Sequence, residues 1–305
     1  MWLIVAIASH SLFGLVAVLD RYLLSGPIKN PKFYTFLVGM LGVVFVLFLI
    51  PFGLVEMPEL STLLVALAAG ALRLVGLFAL FSALRRFEAS RIIPAIGGFL
   101  PIAILLLTLL FTRAVNLGGL DILAFVLLVG GSIWVSTEKR LSLTKASIML
   151  SFLTAILFAS SFFLSKFVYE VQPFWSGFFW MVPGGLMVAL LLLLFSETRK
   201  GITEIFHPKK RQKGSYFTAF LFFLNQGMGG LAFILQSWAI ALVPFGLLAF
   251  VSALEGIKYI SILFVVWFLS VYFPSILREE ISKKILLQKI LSIVIIGAGL
   301  LLLAL

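Results

Sequence analysis

The chain has 305 residues, 62% of them hydrophobic and only 11% charged, with a mean hydropathy of +1.21. A soluble domain is about half apolar and a quarter charged, so this composition excludes a water-facing globular protein and predicts a polytopic membrane protein. The absence of cysteine excludes disulfide frameworks, thiolate zinc sites and cysteine nucleophiles. The net charge of +11 gathers in loops beside apolar runs, which argues for topology and anionic lipid head groups rather than nucleic acid.

Ten runs are long enough to be read as spanning helices: 2–24, 33–55, 61–84, 89–112, 119–136, 146–168, 174–195, 216–243, 246–272 and 283–305. The first begins at MWLIVAIASH with no basic stretch before it and reads as a retained span rather than a signal peptide. Helix is the expected structure throughout, because backbone groups in hydrocarbon must be satisfied within the segment and no barrel-type alternation is present. Gly26-Pro27, Asn30-Pro31, Pro58 and Gly118-Gly119 punctuate the runs as tight turns. The longest hydrophilic segment, ETRKGITEIFHPKKRQKGS at 197–215, reads as a loop on the lipid surface.

Of the 23 Lys and Arg residues, nineteen fall in loops after odd-numbered spans, and Arg113 and Lys166 fall on the opposite side. The positive-inside rule then places the odd loops in the cytoplasm of a plasma-membrane protein, with both termini outside.

The two halves of the chain match. Leu12-Phe13-Gly14 and Leu19-Asp20-Arg21-Tyr22 align at an offset of 145 with Leu157-Phe158-Ala159 and Leu164-Ser165-Lys166-Phe167. Ala83-Leu84 corresponds to Ala239-Ile240, and both halves close in a glycine-containing span, Gly130-Gly131 and Gly297-Ala298-Gly299. An odd number of helices per repeat inverts the second copy. The expected fold is therefore an all-α membrane protein of ten transmembrane helices in a 5+5 inverted repeat, residues 1–140 and 145–305, forming a single bundle.

In this order and spacing the chain resembles the drug/metabolite transporter superfamily, EamA type. The resemblance covers nearly the whole chain. It rests on the first span of each half ending in a basic residue (Arg21, Lys166), on ALFSALRRFEAS at 79–90, IIPAIGGFLPI at 92–102 and LLQKILSIVIIGAGLLLLAL at 286–305. It implies a ten-helix alternating-access carrier with a central cavity lined mainly by spans one, three, four, six, eight and nine. Two features depart from that pattern: Thr112-Arg113 stands where an acidic residue commonly follows the fourth span, and the family's termini are usually cytoplasmic, opposite to the loop charge. In placement Lys258 resembles a basic residue of the related phosphate translocators, but their paired Lys-Arg is absent, so phosphate specificity is not supported.

Charges deep in a span cost about 2.5–3.5 kcal/mol on insertion scales and mark sites or partners. Glu255 and Lys258 lie three residues apart on one face of the ninth span, and Arg73 sits mid-span with no carboxylate within a turn. Either Arg73 pairs with Glu255 across the bundle, or an anionic or zwitterionic substrate supplies the missing negative charge to its planar fork. Glu255 is also a candidate for binding a coupling proton or ion. Asn225 and Gln236 share a face of the eighth span, beside Gly227, Gly229 and Gly230, which suit close backbone approach. His10 is a cavity candidate and, equally, a packing residue. Asp20, Arg21 and Lys166 are helix-end charges suited to snorkelling or gating, and Pro94 and Pro101 are candidate kinks in the fourth span, as Pro183 is in the seventh.

No HExxH, CxxC, GxSxG or P-loop occurs, and the two histidines, His10 and His207, make a metal site improbable. The sequence therefore reads as a non-enzymatic secondary transporter without cofactor or metal, moving a small polar metabolite. A homodimer is left open. The alternatives are a flippase for an anionic lipid-linked substrate, favoured by a lateral opening between spans, and a non-transporting scaffold whose charges all pair internally.

Overall fold

A computed structural model describes residues 1–25, 28–47, 49–87, 89–112, 117–136, 144–206, 215–258, 260–261 and 283–304. Helix is the regular structure found among them: α1 (Trp2–Ser25), α2 (Pro31–Leu47), α3 (Leu60–Arg86), α4 (Ala89–Phe111), α5 (Gly119–Ser136), α6 (Lys145–Val171), α7 (Phe174–Leu191), α8 (Ser196–Phe206), α9 (Ser215–Leu242), α10 (Leu248–Ala253) and α11 (Lys283–Ala304). Six of these, α1, α2, α3, α6, α7 and α9, are long and apolar enough to cross a membrane. Shorter apolar stretches occupy α4, α5 and α11.

The helix starts follow from local chemistry. Asn30 caps α2, its Oδ1 accepting from the amides of Lys32 and Phe33, and Pro31 occupies the first helical position, where no amide is needed. Thr144 and Ser147 form a reciprocal capping box at the start of α6. The segment expected as a hydrophilic loop after the seventh span instead opens with α8. That helix lays Gly201 against the ring of Phe33, and its Glu197 meets Lys32 at 2.9 Å.

Two long pairings organise the bundle: α3 lies along α6, and α1 lies along α9. A hydroxyl joins each pair, Ser161 Oγ donating to the Ala69 carbonyl at 2.8 Å and Ser9 Oγ to the Ala232 carbonyl at 2.7 Å. Around them α4 packs on α6 and α5 on α11. The seam between α3 and α7 is closed backbone to backbone. A Cβ at Gly70 would run into the Met181 carbonyl, and one at Gly184 into the Leu67 carbonyl, so only glycine permits this approach. The main apolar core runs through Ala69, Ile104, Leu128, Ala159, Phe250 and Ile296.

Helix α4 passes through both of its prolines without interruption, and α7 likewise continues through Pro183. The interruption lies elsewhere, in the ninth apolar run.

Candidate functional site

The run expected as one span over 246–272 is broken at Leu254 and Glu255. Helix α10 ends at Ala253 and helical geometry resumes at Gly256. In an uninterrupted helix the Glu255 amide would donate to the Val251 carbonyl. Instead it donates to the Ser252 carbonyl at 3.0 Å, and Ile257 and Lys258 likewise reach three residues back. The Val251 carbonyl thus loses its helical donor, and His10 from α1 supplies another, Nε2 lying 2.7 Å away. A carbonyl only accepts, so Nε2 carries the proton there, and the buried Nδ1 has no hydrogen-bond partner among the described residues. A Cβ at Gly256 would meet Ser132 and Ile296, and one at Gly14 would meet the Lys258 carbonyl. The break is held from both sides, and residues 259 and 262–282 lie outside the described residues.

Beside the break is a cavity of about 660 Å³. Its charged and amide lining comprises Arg73, Glu255, Lys258, Gln236, Gln226 and Asp20, set among the rings of Phe13, Phe45, Phe81, Phe158, Phe178 and Phe233. Glu255 is ion-paired with Lys258 one turn on. The alternative in which Arg73 pairs with Glu255 across the bundle is therefore not met. Arg73 instead lays its guanidinium over the Phe233 ring and makes no hydrogen bond among the described residues. Such stacking is worth about 0.5–2 kcal/mol but uses none of the five N–H donors. A planar fork thus faces the cavity with nothing among the described residues to accept from it.

A second polar group closes one end. Asp20 Oδ1 accepts from the Tyr34 hydroxyl at 2.5 Å and from Asn225 Nδ2 at 2.6 Å, and Gln226 Nε2 donates to the Tyr34 hydroxyl at 3.1 Å. The cluster ties α1, α2 and α9 together. Lys258 lies within electrostatic reach of Asp20.

The residues singled out from sequence thus separate. Arg73, Gln236, Glu255 and Lys258 converge on the cavity with Asp20. Asn225 does not line it; its Nδ2 donates to Asp20 and Tyr34. His10 is buried and serves the broken helix. Lys166 is buried away from the cavity, paired with Glu170 at 2.5 Å and donating to the Ala241 carbonyl at 3.1 Å. Pro101 is buried within α4, while the side chains of Arg21 and Pro94 lie outside the described residues. Gly227 and Gly230, expected to permit close backbone approach, do the reverse: a Cβ at either would meet nothing within 4 Å. Tyr34 and Phe233 were missed. A tyrosine inside an apolar run carries its own signal, since its hydroxyl needs a partner there.

Neither a family model nor a curated protein matches the chain. Among solved structures 26 chains match. One, described only as a crystal structure of a protein, aligns over 99% of this chain and 96% of its own with a TM-score of 0.63 and 16% identity. At that identity the likeness is one of fold alone.

Proposed function

We propose that the chain is a carrier of the EamA type, ten spans in a five-plus-five inverted repeat, moving an anionic or zwitterionic substrate through the cavity by alternating access. The observation that carries this reading is Arg73. Among the described residues Glu255 is neutralised by Lys258, Asp20 is held by Tyr34 and Asn225, and the guanidinium is left over in a mostly apolar space. An unpaired cation there is costly unless a ligand completes it. A scaffold has no use for that cost, whereas a carboxylate or phosphate on a substrate would accept bidentately.

The broken ninth span favours the same reading, because non-helical backbone at membrane depth is tolerated where it faces a cavity and is a frequent feature of transporter binding sites. The paired packing of α3 on α6 and of α1 on α9 is the arrangement expected when spans three and six are the repeat counterparts of eight and one. The cavity reaches from Gly70 and Phe178 toward Leu84 and Ile93, at the ends whose loops carry the excess of Lys and Arg. The positive-inside rule then makes this the cytoplasmic-facing state of a plasma-membrane carrier.

The test is a thermal-shift screen of the purified protein against anionic, zwitterionic and cationic compounds. Anions or zwitterions are expected to raise the melting temperature, and Arg73→Met is expected to abolish the shift while melting without ligand at or above the wild-type temperature. An Arg73→Met protein that fails to fold, or that keeps the full ligand shift, removes the basis of the reading.

A further inference from the structure

We infer that the substrate is an anionic lipid-like amphiphile that enters from the bilayer, sideways, between α2 and α9. The inference rests on the carrier reading and specifies what is carried. Four cavity-lining residues are also well exposed: Val44 and Phe45 of α2 are 55% and 42% exposed, and Phe223 and Leu231 of α9 are 61% and 51% exposed. A residue that lines an interior space and is also half exposed marks the edge of an opening.

The spacing agrees. Phe223, Gly227, Gly230, Leu231 and Ile234 are linked by three- and four-residue spacings (223 to 227, 227 to 230 and 231, 230 and 231 to 234), so they form a single stripe along α9, and all five line the cavity. Val38, Leu41, Gly42 and Phe45 do the same on α2. Both helices leave loops on the same predicted face of the membrane, so these stripes overlap in depth, roughly 10–20 Å along α2 and roughly 12–28 Å along α9 at 1.5 Å per residue.

The opening has two ends. At one, Tyr34 meets Phe222 edge to face at 5.6 Å, backed by the Asp20, Asn225 and Gln226 hydrogen bonds. At the other, Phe45 meets Phe178 at 6.4 Å, and Phe178 meets Phe233 at 5.2 Å. Between them stand Gly42, whose nearest neighbour to a Cβ would be Val182 at 3.8 Å, and Gly227 and Gly230, which face open space. Were this edge facing water, a stripe of phenylalanine and leucine would be an unfavourable rim; facing acyl chains, it is not.

The chemistry of the interior fits such a ligand better than a small polar metabolite. A water-soluble anion would give up its hydration to a space walled largely by apolar side chains, with the Arg73 guanidinium in return. An amphiphile places its phosphate or carboxylate on Arg73, beside the aromatic ring of Phe233, while its chain stays between α2 and α9 in contact with apolar side chains. No chain need leave the hydrocarbon, and the α2–α9 window supplies the route that a closed bundle lacks.

The experiment uses the full-length protein reconstituted in phosphatidylcholine vesicles with a trace of fluorescent phosphatidic acid, whose transbilayer movement is read by a membrane-impermeant quencher. Fluorescent phosphatidylcholine and soluble glycerol 3-phosphate uptake are the comparison arms. Wild type is expected to move phosphatidic acid, to leave phosphatidylcholine in place and to take up no glycerol 3-phosphate. Arg73→Met and Gly230→Leu are each expected to slow phosphatidic acid at least tenfold. The leucine enters open space, so an unchanged melting temperature and elution profile separate a blocked window from a misfolded protein.

Arg73-dependent uptake of glycerol 3-phosphate, untouched by Gly230→Leu, overturns the lipid route and leaves the carrier reading standing. Equal movement of both lipids overturns recognition of the anion by Arg73. Movement of no probe overturns the lipid route, and the carrier reading is then judged by its own Arg73-dependent ligand shift.

Discussion

The α3–α7 and α2–α9 seams use the same residue type for opposite ends. In the first, Gly70 and Gly184 let two backbones touch, and any side chain would strike a carbonyl. In the second, Gly42, Gly227 and Gly230 keep two helices from filling the space between them. Under the proposed inverted repeat these seams are counterparts, span three with seven and span eight with two, so their difference is what one conformation of an alternating carrier would display. The comparison shows that a glycine in a membrane helix states nothing until its neighbour is known.

The largest effect should come from filling both seams with the same side chain. Gly70→Leu or Gly184→Leu is expected to destabilise the protein by about 3 kcal/mol or more, the upper end for overpacking, because the obstacle is backbone and cannot rotate away. Gly230→Leu is expected to stay within about 0.5 kcal/mol of wild type. Melting of the three purified variants checks this, and similar losses in all three would erase the distinction between the seams.

A smaller effect is expected at the closed end of the window. Tyr34→Phe removes the hydroxyl that donates to Asp20 and accepts from Asn225 and Gln226 while keeping the ring against Phe81 and Phe222. The loss should be about 1–3 kcal/mol, the cost of leaving buried polar groups without a partner. Denaturation of Tyr34→Phe beside Asn225→Ala and the double variant would show strong non-additivity if the three residues act as one latch; simple additivity would dissolve the latch.

The smallest effect belongs to the foot of α2. The hydrogen bond from Lys32 holds the exposed Glu197 carboxyl below its ordinary value. A carboxylate lowered in the folded state adds stability above its unfolded pKa and loses it as the pH falls through the folded value. Glu197→Gln is therefore expected to melt slightly below wild type at neutral pH, with the two converging in acid and at high salt. A difference that persists in acid would point to packing of α8 rather than charge.

Much of the helical framework was legible because its signals are local. Run length, Asn30-Pro31 and the absence of barrel alternation report on segments that must satisfy their own backbone. The depth of Arg73, Glu255 and Lys258 was legible for the same reason. The short helix α8 was not, because its inward positions, Thr198, Gly201 and Ile202, include one apolar side chain and do not stand out from their charged surroundings. The break in the ninth run was hidden by its own hydrophobicity. Leu254 and Glu255 carry no helix-breaking residue, and the freed carbonyl depends on His10, 241 positions away.

The amino-acid sequence by itself determined that this is an apolar, helical protein with membrane-length segments and a few charges buried at mid-span, since length, composition and periodicity are properties of single stretches. Only the tertiary structure decided how those charges are shared. Glu255 takes Lys258, Asp20 takes Tyr34 and Asn225, and Arg73 is left to Phe233 and the cavity. The physical reason is that pairing in a low-dielectric interior depends on separations of a few ångströms between helices far apart in the chain, and so does whether a glycine closes a seam or leaves it open.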